Sequence, residues 1–457
     1  MRYDKAPLKA VGKRCNNHCK GFRPHFSTRY HDHSIHAQFY LHGLMQARRK
    51  NMERMAEVVP KSDEQSLQHF ISNVDWDSNA VMEQVAQETS ELLGAPMETA
   101  LLIDESGFEK KGKHSVGVGR QWNGRRGKVD NCQVGVFSTL CSGRHSTLVN
   151  ARLYLPEEWT NDKRRCRQAD IPVENRRFKT KPELALEMVI QAREMGLSFG
   201  WVGADGLYGN NPELLYSLDA LNEIFVVDVH KDQRIYLNDP APVLPTNTSK
   251  RGRKPSQYKS EEKPIKVEGL VKQKPATSWK RVTLRDGDKG ALLVEVIRHR
   301  VWIWDGKSAE CKHWHLVVRR EIDSPNEIKY SLSNAEPDTS VERLAHMQGQ
   351  RFWIERSFQD AKSHCGLGDY QVRSWQGWHH HMALVMMAML FMLKERLLNE
   401  EAIPLLSCSD IEILLSQFLP RRNTTDEEII LQMEKRHRKR QSAIESQKRK
   451  QENTGVG

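Results

Sequence analysis

The segment Arg351-Phe-Trp-Ile-Glu-Arg-Ser-Phe-Gln-Asp-Ala-Lys362 has the periodicity of an amphipathic helix. At 3.6 residues per turn, Glu355 and Phe358 share a stripe with Arg351 and Lys362, so a carboxylate lies between two cations. The apolar flank of the stripe continues through four residues, Leu344, Met347, Ile354 and Ala361. A half-buried carboxylate between cations stays ionised, which suits it to bind a hard cation. The simpler alternative is an i,i+4 ion pair on an ordinary helix, and the rest of the chain decides between the two.

Two more carboxylates follow short apolar runs that predict buried strands. Ala100-Leu-Leu-Ile precedes Asp104, and Phe199-Gly-Trp-Val-Gly-Ala precedes Asp205. Alone, an Asp at a strand end is usually a turn or cap residue. Carboxylates from two strand ends and a helix can also converge over one sheet edge and bind two Mg²⁺ ions about 4 Å apart. The sequence therefore predicts a site for phosphodiester chemistry made of Asp104, Asp205 and Glu355.

The patterns around these acids predict a mixed α/β (α+β) fold. After residue 99, three strands in succession give way to strands that alternate with helices, which indicates a mixed sheet with helices on its faces. Strand patterns return over residues 279–335, after a Pro-, Lys- and Ser-rich linker. We divide the chain into an N-terminal basic arm (loosely ordered over 1–35) and helical region (1–98), a first core part (99–230), a linker and β-rich insertion (231–337), core helices with the third acid (338–400) and a helical, basic tail (401–457).

The charge distribution favours a polyanionic partner. The 457 residues carry a net charge of +11. Residues 1–50 contain eleven Lys and Arg against two Asp and Glu, and residues 435–450 contain eight against one. Basic ends around a mixed middle indicate nucleic acid rather than a membrane surface. The longest apolar run, Met382–Leu393, is too short to cross a bilayer, so we expect a buried helix and no membrane partner.

The cysteines and the N-terminus predict a cytoplasmic protein. The eight cysteines are scattered, as is usual in a reducing compartment, and the N-terminus lacks the apolar region of a signal peptide. Cys15 and Cys19 lie close to five histidines, His18, His25, His31, His33 and His36. Such a group could bind zinc, but the spacing matches no common zinc finger, so the expectation is a pair without metal.

One block of the sequence resembles a known family. The block is Leu102-Ile-Asp-Glu-Ser-Gly-Phe-Glu-Lys-Lys-Gly-Lys-His-Ser-Val-Gly-Val118, followed by Gly127-Lys-Val-Asp-Asn-Cys-Gln-Val-Gly-Val-Phe137. It resembles the DDE transposases of bacterial insertion sequences, in particular the group numbered 701 within the broader set that contains group 4. The resemblance extends from about residue 22 to about residue 400.

The resemblance implies a fold, an activity and partners. The implied fold is an RNase H-like catalytic core that a β-rich insertion interrupts before the last acid. The implied enzyme cuts double-stranded DNA at the transposon ends and joins the ends to a target, as a homodimer in the synaptic complex. The implied cofactor is a pair of Mg²⁺ ions, with Mn²⁺ as a substitute, bound by Asp104, Asp205 and Glu355. The implied location is the bacterial cytoplasm, in association with the nucleoid.

The family's helix signature adds two cations to the site. It reads Tyr, two residues, Arg, three residues, Glu, six residues, Lys, and Arg351, Glu355 and Lys362 match it. Gln348 occupies the Tyr position. The match implies that Arg351 and Lys362 bind phosphates near the cleaved end.

Further residues are candidates for contacts with DNA. Arg251, Arg253 and Lys254 lie in a segment that resembles an AT-hook, whose alternative is a plain basic loop on phosphates. Arg48 and Arg49 give an N-terminal helix a basic face, and the alternative for that region is a helical cap on the core.

The insertion contains four tryptophans, Trp279, Trp302, Trp304 and Trp314. In related transposases, an insertion tryptophan stacks on a base flipped out of the transposon end. Trp302 and Trp304 share a strand face, so we hypothesise that one of them receives such a base near the cut. The other three are expected to be ordinary sheet residues, and the alternative is that Trp302 and Trp304 both belong to the sheet core.

Two other functions compete with transposition. The first is a domesticated DNA-binding regulator with a degenerate nuclease core, which the presence of all three acids disfavours. The second is another RNase H-like nuclease, such as a resolvase, which the long β insertion disfavours.

Overall fold

The computed structural model describes residues 8–27, 29–245, 256–287 and 290–454. The N-terminal helices are α1 (Val11–Gly21), α2 (Arg23–Phe26), α3 (Ser34–Gln46), α4 (Met52–Val58), α5 (Glu64–Ser72) and α6 (Ser78–Leu93). The core strands are β1 (Thr99–Glu109), β2 (Gly119–Asn123), β3 (Lys128–Ser142), β4 (His145–Tyr154), β5 (Trp201–Ala204) and β6 (Phe225–Val229). The helices among them are α7 (Glu157–Thr160), α8 (Lys163–Gln168), α9 (Lys181–Glu194), α10 (Gly206–Gly209) and α11 (Pro212–Ala220).

The rest of the chain supplies further strands and the longest helices. The strands and helix that follow β6 are β7 (Arg234–Ile235), β8 (Ile265–Lys266), α12 (Val267–Lys272), β9 (Lys280–Gly287), β10 (Gly290–Ile303), β11 (Lys312–Glu321) and β12 (Ile328–Ser333). The C-terminal helices are α13 (Val341–Gln350), α14 (Phe352–His364), α15 (Trp375–Leu398), α16 (Cys408–Phe418) and α17 (Asp426–Thr454).

One mixed sheet joins the core strands to the later strands. Its order is β2-β3-β1-β5-β6-β12-β11-β10-β9, and β4 also pairs with β3. β1, β5 and β6 are mutually parallel, whereas β3, β4 and β9–β12 pair antiparallel with their neighbours. The predicted mixed α/β fold is therefore confirmed. The strands of the insertion extend the core sheet, because β12 pairs directly with β6.

Helices cover both faces of the sheet, as the apolar runs predict. Alternate residues of β1 face opposite cores: Ala100 and Leu102 pack with α15 and the N-terminal helices, whereas Leu101 and Ile103 pack with α9, α10 and α11. The predicted buried helix is α15, whose run Met382–Leu393 is buried throughout. None of the helices in the described part of the chain is long and apolar enough to span a membrane.

The N-terminus differs from the predicted loose arm, because residues 11–26 form α1 and α2. Apolar side chains at helical spacing are fully or almost fully buried there: Val11, Cys15, Phe22 and Phe26. Arg14 also donates two hydrogen bonds to Glu395 of α15, at 2.6 and 2.5 Å. The basic residues therefore surround an apolar stripe that anchors this segment to the core. The predicted division into five domains stays a prediction, since a single apolar core joins the N-terminal helices to α14 and α15.

Two further elements differ from the sequence-based prediction. The helix that contains Glu355 is two segments, α13 and α14, which meet at Arg351 one residue after the Gly349-Gln350 pair. Glycine is a poor helix former, which fits a break there. The alternating Val and Gly residues of 115–119 predict the second of the three successive strands, but β2 begins only at Gly119, because Gly117 adopts a φ of +69° that extended strands exclude.

A prediction follows from the close approach of α10 to β6. A Cβ on Gly209 would collide with the Asp228 carbonyl oxygen, whereas a Cβ on Gly269 in α12 would meet nothing within 4 Å. Gly209→Ala should lower the free energy of unfolding by about 1–3 kcal/mol through overpacking. Gly269→Ala is the matched control and should be neutral or stabilising by up to about 1 kcal/mol. Denaturant unfolding of both variants measures this, and equal stability of the two would contradict the close packing of α10 on β6.

Candidate functional site

Parallel pairing brings three carboxylates into one row. Ile103 pairs with Ala204, and Ala204 pairs with Val227. The next residues along the three strands are Asp104, Asp205 and Asp228. Because neighbouring strands lie about 4.8 Å apart, these three side chains occupy adjacent positions at one edge of the sheet. The structure thus brings the predicted pair Asp104 and Asp205 together and adds a third acid, Asp228.

Backbone donors help to hold the first two acids. An Oδ1 of Asp205 accepts a hydrogen bond from the Leu207 amide at 2.9 Å, so Asp205 caps α10. The Asp104 Oδ1 accepts from the Glu105 amide at 2.7 Å. Asp205 is therefore a helix cap, as the simpler interpretation of a strand-end Asp predicts. Its other carboxylate oxygen remains available for a metal ligand role.

Arg351 connects the row of acids to Glu355. Its Nε lies 2.8 Å from the Asp228 Oδ2, and its Nη1 lies 3.1 Å from the Glu355 Oε1. Both Arg351 and Asp228 are largely buried, whereas 55% of the Glu355 side chain is exposed. Glu355 is thus more exposed than the half-buried position predicted for it, and its carboxylate stands at the open side of the site.

The electrostatics of the site favour an added cation. Burial and the nearby Asp205 and Glu105 carboxylates together raise the pKa of Asp104 to about 8, although Arg351 lowers it. Burial and Glu105 likewise raise the pKa of Asp205. The pKa of Arg351 is raised because Asp228, Glu355, Asp104 and Asp205 together outweigh its burial. Arg351 therefore lies among several crowded carboxylates, and oxygen donors of this kind suit a hard divalent cation.

Asp228 is held by a chain of hydrogen bonds from the later strands and α13. The Ser331 hydroxyl of β12 donates to Asp228 at 2.7 Å, and the Gln348 amide donates to the Ser331 Oγ at 2.7 Å. Gln348 is only 4% exposed. The residue at the signature's Tyr position therefore supports Asp228 from inside the protein and does not face the open side of the site.

Sequence reasoning missed Asp228, although a signal was present. Phe225-Val-Val-Asp228 repeats the pattern of an apolar run ending in an acid that singled out Asp104 and Asp205. Glu105 was also missed, and it accepts from Lys181 and Tyr208 at 2.8 and 3.0 Å.

Four of the predicted DNA-binding cations have described positions. Arg351 lies within the site. Lys362 lies further along α14, and its Nζ is 5.9 Å from the Phe108 ring centroid. Arg48 and Arg49 are exposed, but they lie in the loop after α3 and not on a helix, because α3 ends at Gln46. Arg251, Arg253 and Lys254 lie outside the described residues.

The register of the insertion separates Trp302 and Trp304 from the acids. The row through Asp228 continues to Ser331, Val317 and Arg298. Trp302 lies four residues beyond Arg298, toward the opposite edge of the sheet, which is about 13 Å along the strand and about 14 Å across it from Asp228. This separation disfavours the hypothesis that either tryptophan receives a base beside the cut, and the hypothesis stays a prediction.

Local contacts account for the positions of the Trp302 and Trp304 rings. The Trp302 ring stacks on His313 of the neighbouring strand, with centroids 4.6 Å apart. The Trp304 Nε1 donates to the Ser308 carbonyl at 2.7 Å within the turn between β10 and β11. Both are therefore cross-strand and turn residues of the sheet.

The aromatic residues that do lie close to Glu355 are Phe352 and Trp353. The Arg285 guanidinium lies 3.8 Å from the Phe352 ring centroid and 5.4 Å from that of Trp353. These residues line a cavity between β9–β12 and the start of α14, which Asp228, Arg351 and Glu355 also line. Phe352 is 42% exposed, so an aromatic face is accessible beside the site.

Comparison with known proteins identifies the family. Residues 21–291 match the DDE superfamily endonuclease family, a span that contains Asp104, Asp205 and Asp228. A probable transposase for insertion sequence element IS701 from Microchaete diplosiphon is 27% identical over 348 residues, which cover 74% of this chain and 77% of that protein. The resemblance seen in the sequence is confirmed, and the enzymes of this family use divalent metal ions, which the oxygen donors of the site fit. The chain therefore belongs to the DDE superfamily endonucleases.

Proposed function

We propose that this protein is the transposase of an insertion sequence, which binds the terminal inverted repeats, cuts the DNA at the element ends and joins the ends to a target. The observation that carries the proposal is the row of carboxylates at the ends of parallel strands, linked through Arg351 to Glu355. The similarity to a probable insertion-sequence transposase supports the same reaction. The strand order β4-β3-β1-β5-β6 supports an RNase H-like core.

In this proposal, Asp104, Asp205 and Glu355 are the catalytic metal ligands. They would bind two Mg²⁺ ions, or Mn²⁺ in their place, which when bound activate a water or a 3′-OH and stabilise the leaving oxygen. Arg351 keeps Glu355 beside the two aspartates through its contact with Asp228. Lys362, about two turns after Glu355, is the second phosphate ligand of α14.

A basic surface beside the site supports DNA as the partner. The Lys50 amide donates to the Asp369 carboxylate at 3.0 Å, and the Lys110 Nζ donates to the adjacent Tyr370 carbonyl at 3.3 Å. The exposed loop with Arg48 and Arg49 and the turn after Lys110 are therefore both next to the segment that contains Asp369 and Tyr370. That turn contains Lys111 and Lys113, both exposed. Together these cations form a patch at the end of the sheet that β1 reaches beyond Asp104.

We also propose a homodimer in the synaptic complex, since two element ends must be cut and joined together. Cytoplasmic location with nucleoid association follows from the same activity. The regulator alternative is disfavoured because all three acids are present: Asp104 and Asp205 lie at one sheet edge, and Glu355 contacts Arg351 beside it. The resolvase alternative is disfavoured by the similarity to a transposase.

The first prediction tests the acids. Asp104→Asn, Asp205→Asn and Glu355→Gln should each lower the rate of strand nicking on an end duplex by at least about 1,000-fold, because the metal ions lose a ligand. DNA affinity should change little, because it comes mainly from cations. Nicking of a labelled end duplex and gel-shift binding are measured in parallel. Robust nicking by any one variant would remove that residue from the site.

The second prediction tests Asp228 as a positioning residue. Asp228→Asn removes the charge partner that holds Arg351, so the guanidinium competes with metal for the remaining carboxylates. The Mg²⁺ concentration that gives half-maximal nicking should rise about tenfold, as expected when a supporting partner of metal ligands is lost. The matched control is Asp219→Asn, since the Asp219 side chain is buried to a similar extent and pairs with Lys312, at 2.7 Å, away from the acids. An identical Mg²⁺ dependence of the two variants would contradict the role of Asp228.

The third prediction tests the basic patch. Arg48→Ala and Arg49→Ala should each weaken DNA binding and reduce the slope of log affinity against log salt by about 0.9, because one fewer counterion is released. Lys307→Ala removes an exposed cation from the β10–β11 turn at the opposite edge and serves as the control. Point substitutions are used because deleting residues 1–35 would remove buried α1. An unchanged salt slope in both arginine variants would place the DNA elsewhere.

A further inference from the structure

The N-terminal helices contain a compact group of metal-ligating side chains that the proposed function does not use. The thiols of Cys15 and Cys19 and a ring nitrogen of His42 lie within 4.8 Å of one another. The two cysteines are one turn apart on α1, and His42 projects from the middle of α3. All three are at least nine-tenths buried, with exposures of 0%, 7% and 4%.

The histidines expected from the sequence do not take part. His18 directs its Nε2 to the Met387 carbonyl at 2.9 Å, and its Nδ1 faces Lys394. His25 contacts the Gln84 side chain, while His31, His33 and His36 stack in a separate group near Phe70. The third side chain of the group, His42, comes instead from α3. It lies six residues beyond His36, the last of the histidines named from the sequence.

One polar atom of this group has no hydrogen-bond partner among the described residues. This atom is the buried Nε2 of His42. A buried ring nitrogen without a partner is costly, since its lost hydration is not replaced. Other buried cysteines direct their thiols to oxygen atoms, as Cys132, Cys166 and Cys408 do with Gln121, Trp159 and Asp360. The Cys15 and Cys19 thiols instead face each other and His42.

We propose that Cys15, Cys19 and His42 bind a zinc-class divalent cation that joins α1 to α3. Thiolate sulfur and imidazole nitrogen are the donors that zinc prefers, and a water molecule completes the tetrahedron. Two thiolates, a neutral imidazole and a divalent cation carry no net charge, so the assembled site can remain buried without an unpaired charge. The neighbouring Glu395 is already paired with Arg14, which leaves the three named side chains as the protein ligands.

The site would have a structural role separate from DNA cleavage. α1 contacts α3, α15 and α16, so a cation between α1 and α3 fixes the segment that closes the N-terminal side of the core. Metal binding adds to folding free energy when the ligands are gathered only in the folded chain. Removing the cation should therefore loosen α1 and leave the acids of the sheet edge in place.

The test uses the full-length protein, purified under reducing conditions from cells grown with zinc. The wild type should contain close to one zinc ion per chain by elemental analysis, and Cys19→Ser and His42→Gln should lose it. His18→Gln is the matched control, because His18 is a buried histidine of the same helix outside the group. Zinc loss with a chelator should lower the melting temperature of the wild type and of the control, but not of the other two variants.

Cobalt spectroscopy keeps the proposal testable if the variants fail to fold. Wild-type protein loaded with Co²⁺ should show the thiolate-to-cobalt charge-transfer absorption expected for two sulfur ligands. Less than about one tenth of a zinc ion per chain together with no such absorption would overturn the proposal. So would zinc that persists in folded Cys19→Ser and His42→Gln, because the ion would then be bound elsewhere.

Discussion

The contact between Arg351 and Asp228 is the interaction on which the candidate active site depends. Parallel strands place Asp104, Asp205 and Asp228 side by side, and like charges this close repel one another in a partly buried site. The raised pKa of Asp104, to about 8, reflects that repulsion together with burial. Arg351 offsets the repulsion at one end of the row and brings Glu355 to it. The remaining excess of negative charge is what a divalent cation would neutralise.

The extra strands of the insertion take part in this arrangement. Without β12, β6 would be an edge strand with unpaired backbone groups. With β12 in place, Ser331 donates to Asp228, and Gln348 from α13 donates to Ser331. Asp228 therefore receives the arginine on one side and the serine on the other, which fixes its carboxylate. β12 supports the site through the sheet, whereas Trp302 and Trp304 lie toward the opposite edge and pack within the later strands.

The sequence predicted those parts of the fold and site that depend on local patterns. The apolar runs before Asp104 and Asp205 identify central strands, and the parallel order then puts both acids at one edge. The apolar stripe of α15 is also a local signal, and it is buried as predicted. Register between distant strands has no local signal, so the positions of Trp302 and Trp304 relative to the acids could not be read from their spacing. The same holds for His42, which meets Cys15 and Cys19 only because α1 folds back onto α3.

The N-terminal segment illustrates how charge can hide a core helix. Eleven cations in the first fifty residues suggested an arm on DNA, yet the residues that decide the structure are the apolar ones at i, i+4, i+11 and i+15. Val11, Cys15, Phe22 and Phe26 are 0–2% exposed. Burying each large apolar side chain contributes about 1.5–3 kcal/mol to the free energy of folding. Exposed cations contribute less than this to the choice between a helix and a flexible arm, because they stay solvated in both. The cations are consequently displayed on the outside of a folded helical layer, and in the proposed complex Arg48 and Arg49 would contact DNA from the loop after α3. A fixed basic surface loses less conformational entropy on binding than a flexible arm does, which favours the ordered layer as the DNA-facing part of the N-terminal region.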